Sequence, residues 1–313
     1  MKFYQPFNGK KILEIATGFM KSGMFLVAAS ALLFACKGTI IKFIYSQGAT
    51  VSDVMMLRMA FCLPVYSWVM TSRLLREHHA LAVSQITGAS AVGIAGYYIA
   101  SYLDLVGLQF VSAGLERIIL YTYPVFVVIL SAVFLGRKIS APLCLCIAVI
   151  YAGLLLVFYA DIHLQPAVSL VTTGRGAACV LLSAVAFAVY VIGSDHYMQV
   201  FSSGLFTAIA MMAATVVMLL QYLFTGSSTH LLDLSPSVYM ACGVTALLFT
   251  VLPSFMMSAG VRAIGSAKAG AVGMIGPVAT VLIAGTVLGE SVSLLQIGGL
   301  AVVMLGVHRL HRL

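Results

Sequence analysis

The chain of 313 residues is 62% hydrophobic and 8% charged, with a mean hydropathy of +1.09. So few charges cannot cover a water-soluble surface of this size, where about a quarter of residues are normally charged. The net charge of +8 does not point to nucleic acid, because basic residues also mark the cytoplasmic loops of membrane proteins.

Met1 to Lys21 carries Lys2, Lys10, Lys11 and Lys21 among scattered apolar residues. It reads as a cytoplasmic segment, residues 1–22, with turns on the membrane surface rather than a cleavable leader. After it come ten stretches close to the roughly 20 apolar residues that span a bilayer as helix. They fall at about 23–45, 53–72, 83–105, 112–135, 141–160, 176–197, 203–224, 237–260, 266–288 and 293–310. Ser46-Gln47-Gly48, His78-His79, Thr225-Gly226-Ser227-Ser228 and Ser235-Pro236 separate several of them. The fold expected is an all-α integral membrane protein of ten transmembrane helices. A cytoplasmic N terminus gathers most Lys and Arg on one side, leaving Arg175 outside and Lys42 near that face. Both termini are then cytoplasmic.

Pro124 stands inside the fourth stretch and Pro277 inside the ninth, 153 residues on. YPVFVVILSAVFLGRKIS at Tyr123–Ser140 and GPVATVLIAGTVLGESVS at Gly276–Ser293 share six of eighteen positions. The same shift carries SALLFA at Ser30–Ala35 onto SAVAFA at Ser183–Ala188, Gly23 onto Gly176 and Gly153 onto Gly306. Two five-helix repeats follow, 23–160 and 174–310. Five is odd, so the second half enters the membrane inverted, as in many secondary transporters with a midplane site between their halves. Each proline removes a backbone donor and is expected to bend its helix beside the cavity.

Around these prolines the chain resembles the drug/metabolite transporter superfamily, specifically its ten-span EamA-type exporters, from about Lys21 to Leu310. The likeness rests on proline followed by an apolar run and a Gly-Glu-x-x-Ser-like ending, with Gly289-Glu290 in the second half. Leu57-Arg58 is similar to an arginine that the family carries in its second span. The first half departs from the pattern with Arg137 where glutamate is usual. The resemblance implies transport of small metabolites, often amino acids or related compounds, across a bacterial inner membrane.

Charges within spans cost roughly 2.5–3.5 kcal/mol each at a helix centre and mark function. Lys37, mid-way along the first span, either faces a cavity and holds a carboxylate or forms a structural bridge. Asp104 closes the third span. Tyr98 and Tyr102 lie on one face of that span, where they suit a ligand or an interfacial belt. Glu116 and Arg117 open the fourth span; adjacent helical positions diverge by about 100° and are not expected to pair. Tyr121 and Tyr123 precede Pro124, and Tyr190 aligns with Lys37 by the repeat, placing the two on opposing cavity walls. Lys37, Tyr98, Tyr102, Asp104, Glu116, Arg117, Tyr121 and Tyr190 form the candidate substrate site, with Pro124 and Pro277 shaping it. Arg58 reads as structural, either reaching the outer interface or pairing with Asp53. Asp195 and His196 read as a solvated helix end.

Cys36, Cys62, Cys144, Cys146, Cys179 and Cys242 all sit in apolar stretches without metal-ligand spacing, so no metal or cofactor is expected. The partners expected are a small solute and lipid; a coupling proton and pairing with a second copy stay open. No Walker loop and no catalytic motif occurs, which argues against ATP drive and against an enzyme. A carrier of lipophilic cations or drugs is the alternative, and a scaffold the remote one.

Overall fold

The computed structural model describes residues 23–75, 82–135, 141–164, 169–225, 231, 233–264, 272–310 and 312. The N-terminal segment, His78-His79, Arg137-Lys138, the Thr225–Ser228 turn beyond Thr225, and Lys268 lie outside them. The described chain is helical: α1 (Gly23–Ser46), α2 (Val51–Leu74), α3 (Val83–Gly93), α4 (Ala100–Leu108), α5 (Ala113–Leu120) and α6 (Tyr123–Leu135). It continues with α7 (Ala141–Leu164), α8 (Leu170–Val200), α9 (Ser203–Thr225), α10 (Pro236–Ala246), α11 (Leu252–Ile264), α12 (Ile275–Ile283) and α13 (Leu294–Leu310). π-helical turns at Ile94–Ile99 and Leu247–Val251 join α3 to α4 and α10 to α11, and a third, Ala284–Leu288, extends α12.

Among the described residues, eight helices are long and apolar enough to cross a membrane, ending with Pro236–Met257. The ninth and tenth expected stretches appear as shorter apolar helices, Ile275–Leu288 and Leu294–Leu310. Large apolar side chains such as Phe134, Phe224 and Leu294 point outward, 75%, 86% and 88% exposed. Ser30, Asp53, Arg58, Asp104, Glu116 and Arg117 are buried inside the bundle. Apolar outside and polar inside is the pattern lipid requires, and this is an integral, multi-pass membrane protein.

Helix ends follow local chemistry. Gly48 takes a positive φ of 86° in the turn after α1. Thr50 then caps α2 in a capping box with Asp53, whose carboxylate accepts the Thr50 N–H at 2.9 Å. Ser235 precedes Pro236 at the start of α10, as a proline in the first helical position allows. The sixth span begins earlier than expected, at Leu170. Ser169 accepts the Thr172 N–H at 3.2 Å and starts α8 there. Arg175, expected in an outer loop, is therefore a helical residue, exposed on the side of α8.

Packing comes in matched pairs. α1 lies against α11 and α12, and α8 against α4 and α6; α9 packs on α3, and α2 on α10. The shift of 153 residues turns each first-named contact into the second. The match holds for single atoms. A Cβ on Gly260 would fall 2.5 Å from Val27 Cγ2 and 2.9 Å from the Gly23 carbonyl; on Gly107, 2.5 Å from Val180 Cγ2 and 2.8 Å from the Gly176 carbonyl. Ser30 Oγ donates to the Pro253 carbonyl at 2.9 Å, and Ser183 Oγ to the Ala100 carbonyl at 2.7 Å. Glycine lets backbones approach this closely in lipid, where small residues govern helix packing.

Gly260→Val and Gly107→Val should each cost about 1–3 kcal/mol by overpacking, and to a similar extent. Gly174→Ala, where a Cβ meets nothing within 4 Å, should be neutral or slightly stabilising. Thermal unfolding of the three variants in detergent measures the contrast.

Candidate functional site

The break between α5 and α6 places the first group. The turn at Tyr121–Thr122 ends α5, and Pro124 sits in the first turn of α6. Pro277 likewise stands in the first turn of α12 after the turn at Met274. The expected bends are thus breaks with restarts. A proline in a first turn removes a donor that has no intrahelical partner anyway. The Gly273 carbonyl, four residues back and before α12 begins, finds no N–H on Pro277. Tyr121 Oη donates to that carbonyl at 2.8 Å, tying the break in one half to the break in the other.

Beside this joint lies a cluster of charges. Lys37 Nζ on α1 donates to Asp104 Oδ2 on α4 at 3.3 Å, with side chains 15% and 4% exposed. Arg117 on α5 donates through Nη2 to the Phe34 carbonyl at 3.1 Å, one turn from Lys37 along α1. Its Nε stands 3.8 Å from Glu116 Oε2. This corrects the expectation that these neighbours do not pair. Their Cβ directions diverge, but both long side chains turn inward, and at 3.8 Å the attraction is ionic rather than a hydrogen bond. Both Glu116 oxygens, Asp104 Oδ1 and Arg117 Nε are buried without a well-formed hydrogen bond, and the Glu116 and Asp104 carboxyl groups stand next to each other. Lys37, Asp104, Glu116 and Arg117 interact electrostatically as one group. Removing one member of such a buried set leaves charge uncompensated in a medium that solvates it poorly.

The remaining candidates sit elsewhere. Tyr98, in the first π-turn, donates to Gln221 Oε1 on α9 at 2.6 Å and stacks on Tyr102 with centroids 6.4 Å apart. Tyr190 hydrogen-bonds Tyr97 at 3.0 Å and packs with Phe187 and Phe206. The described contacts put Tyr190 in this aromatic group and Lys37 with Asp104. Arg58 is 2% exposed and donates to Met55 Sδ at 3.2 Å, not to Asp53. Asp53 is engaged by its own cap and by the Tyr222 hydroxyl at 3.2 Å.

A second polar layer was missed by sequence reasoning. Lys42 Nζ meets Glu290 Oε1 at 2.9 Å, and the same oxygen accepts the Ala113 N–H at the start of α5, at 3.1 Å. A carboxylate there also faces the positive end of the helix. Ser112 donates to Asp161 Oδ1 at 2.5 Å, and Gln296 Nε2 donates to that oxygen at 3.3 Å. Five separate helices or their ends, α1, α5, α7, α13 and the chain after α12, are fastened at one face. The signal available was only the lone charge at the end of each span. Among the described residues no group of three metal-ligating side chains converges.

Comparison with known proteins supplies the context. A profile of the EamA-like transporter family matches twice, over residues 21–159 and 174–309. The "uncharacterized transporter YcbK" of Bacillus subtilis (strain 168) is 29% identical over 294 residues, covering 92% of this chain and 91% of that one. One crystal structure of a protein superposes over 92% of this chain and 96% of its own, with a TM-score of 0.59 and 14% identity, a likeness of fold.

Lys37→Met should destabilise the protein by about 3–5 kcal/mol, because Asp104 is left buried and unpaired. Lys37→Met with Asp104→Leu should recover most of that loss. Unfolding free energies of the two single variants and the double close the cycle.

Proposed function

Because the chain belongs to the EamA-like transporter family, we propose that it is a secondary transporter of a small polar metabolite, such as an amino acid or related carboxylate. Two inverted halves work by alternating access, exporting or exchanging the solute across a bacterial inner membrane. The paired contacts carry this reading. A relation that maps α1·α11 onto α4·α8 and α10·α2 onto α3·α9 exchanges the halves, as a two-fold axis does. The family profile restarts at residue 174 after beginning at residue 21, the same offset. An odd number of crossings in each half then sets them antiparallel.

With cytoplasmic termini, the Lys42–Glu290 layer closes the outer face and the charges around Lys37 lie beneath it. Asp195, at the other end of the molecule, is exposed. The shift carries Lys42 onto Asp195 and Glu290 onto Arg137, so the equivalent sequence positions carry opposite charges in the two halves. Lys37 and Arg117 supply the attraction for a carboxylate. Glu116 and Asp104 supply acceptors for an ammonium group or a coupling proton. Carriage of lipophilic cations fits less well, since a bound cation would meet Lys37, Arg58 and Arg117 at short range.

Purified protein in vesicles should exchange labelled amino acids or carboxylates across the membrane. Lys37→Ala and Glu116→Ala should slow counterflow at least tenfold. Full flux in both variants, with the protein folded, removes these residues from the site.

A further inference from the structure

The charges near Lys37 do not balance. Lys37, Arg58 and Arg117 stand against Asp104 and Glu116, and Lys37 lies within electrostatic reach of all four others. Arg58 is the least satisfied of them. It comes from the second turn of α2, is 2% exposed, and has no carboxylate partner among the described residues. Its one hydrogen bond goes to a thioether, a weak acceptor, and its Nε has none. The groups that feel its charge are Lys37, Tyr45, Cys62, Tyr66 and Cys242, none of them an acid that could neutralise it. A buried guanidinium left in this way is costly to the fold.

Other buried groups nearby are also unpartnered. Thr39 Oγ1, two residues beyond Lys37, and Arg117 Nε are buried without a hydrogen bond, and Tyr66, two turns further along α2, keeps its buried hydroxyl beside Ser254. All of them can donate. Unmet donors on α1, α2 and α5 thus share the bundle interior with the unmet Glu116 and Asp104 oxygens, and the five charges leave one positive in excess. The planar guanidinium is the side chain best shaped to hold an oxyanion through two parallel bonds.

We propose that Arg58 is a second solute anchor and that the solute is an organic anion, with a carboxylate or phosphate group held between Arg58 and Lys37. This rests on the carrier reading above and narrows it: the cargo carries more negative than positive charge. In the empty carrier the uncompensated Arg58 is a strain on stability, which the bound anion relieves.

The test uses the full-length protein in detergent, melted alone and with succinate, glycerol 3-phosphate, alanine or tetraphenylphosphonium. Succinate or glycerol 3-phosphate should raise the melting temperature, and which of them does so separates carboxylate from phosphate recognition. Arg58→Met should melt no lower than the parent when empty and should lose the anion-dependent rise. Arg58→Lys should keep a smaller rise, with affinity weakened at least tenfold. Stabilisation by alanine or tetraphenylphosphonium, with neither anion acting, overturns the proposal and leaves the carrier reading standing. Absence of any shift from either anion also overturns it. An Arg58→Met protein that melts several degrees lower yet keeps the anion response assigns Arg58 to the fold. Loss of counterflow for every solute in vesicles would count instead against the carrier reading.

Discussion

Hydrocarbon offers no hydrogen bonds, so a polar group carried into the bilayer must find its partner within the protein. Much of this structure follows from that requirement. Ser30 and Ser183 turn to carbonyls on neighbouring helices, and Tyr121 reaches the Gly273 carbonyl. Asp104 holds Lys37. Aliphatic and aromatic side chains meanwhile cover the outside. Where glycines bring backbones together, the helices approach as solid surfaces, and the same crossing recurs in both halves.

The parts legible in the sequence were those written in composition or in fixed spacing. Long apolar stretches gave the helices, and the offset of 153 residues picked out Gly23 with Gly176 and Ser30 with Ser183. Those residues proved to make matched contacts, because a repeated interface keeps the small residue or hydroxyl that the crossing needs. The π-turns left no such mark, since a wider helical turn depends on packing around it rather than on residue type. Pro124 and Pro277 were visible, but whether a proline bends a helix or restarts one depends on the turn before it. The pairing of Glu116 with Arg117 and the separation of Tyr190 from Lys37 depend on side-chain direction, which periodicity does not fix. Lys42 and Glu290 meet across most of the chain, beyond any local pattern.

Two polar layers in series suit a carrier. One fastens helix ends through Lys42, Glu290, Asp161 and Gln296; the other holds a set of buried charges that is only partly satisfied. In the first layer only the Lys42–Glu290 pair is partly exposed, at 24% and 19%, while the links of Asp161 to Ser112 and Gln296 are buried and must be broken for the layer to open. A buried set with unmet donors gains from a ligand that supplies acceptors. On the proposed reading, the stability a solute adds and the stability the empty site forgoes are two sides of one arrangement, as is common where a binding site is built at the expense of the fold.

The proposed alternating access depends on the halves facing opposite ways. Gln47, after α1, and Val200, at the end of α8, are equivalent by the offset and both exposed. In a chain with its six cysteines replaced, a single cysteine at each position can be tested with a membrane-impermeant maleimide on intact and inverted vesicles. The account predicts that the two positions label from opposite sides of the membrane; labelling of both from the same side would contradict it.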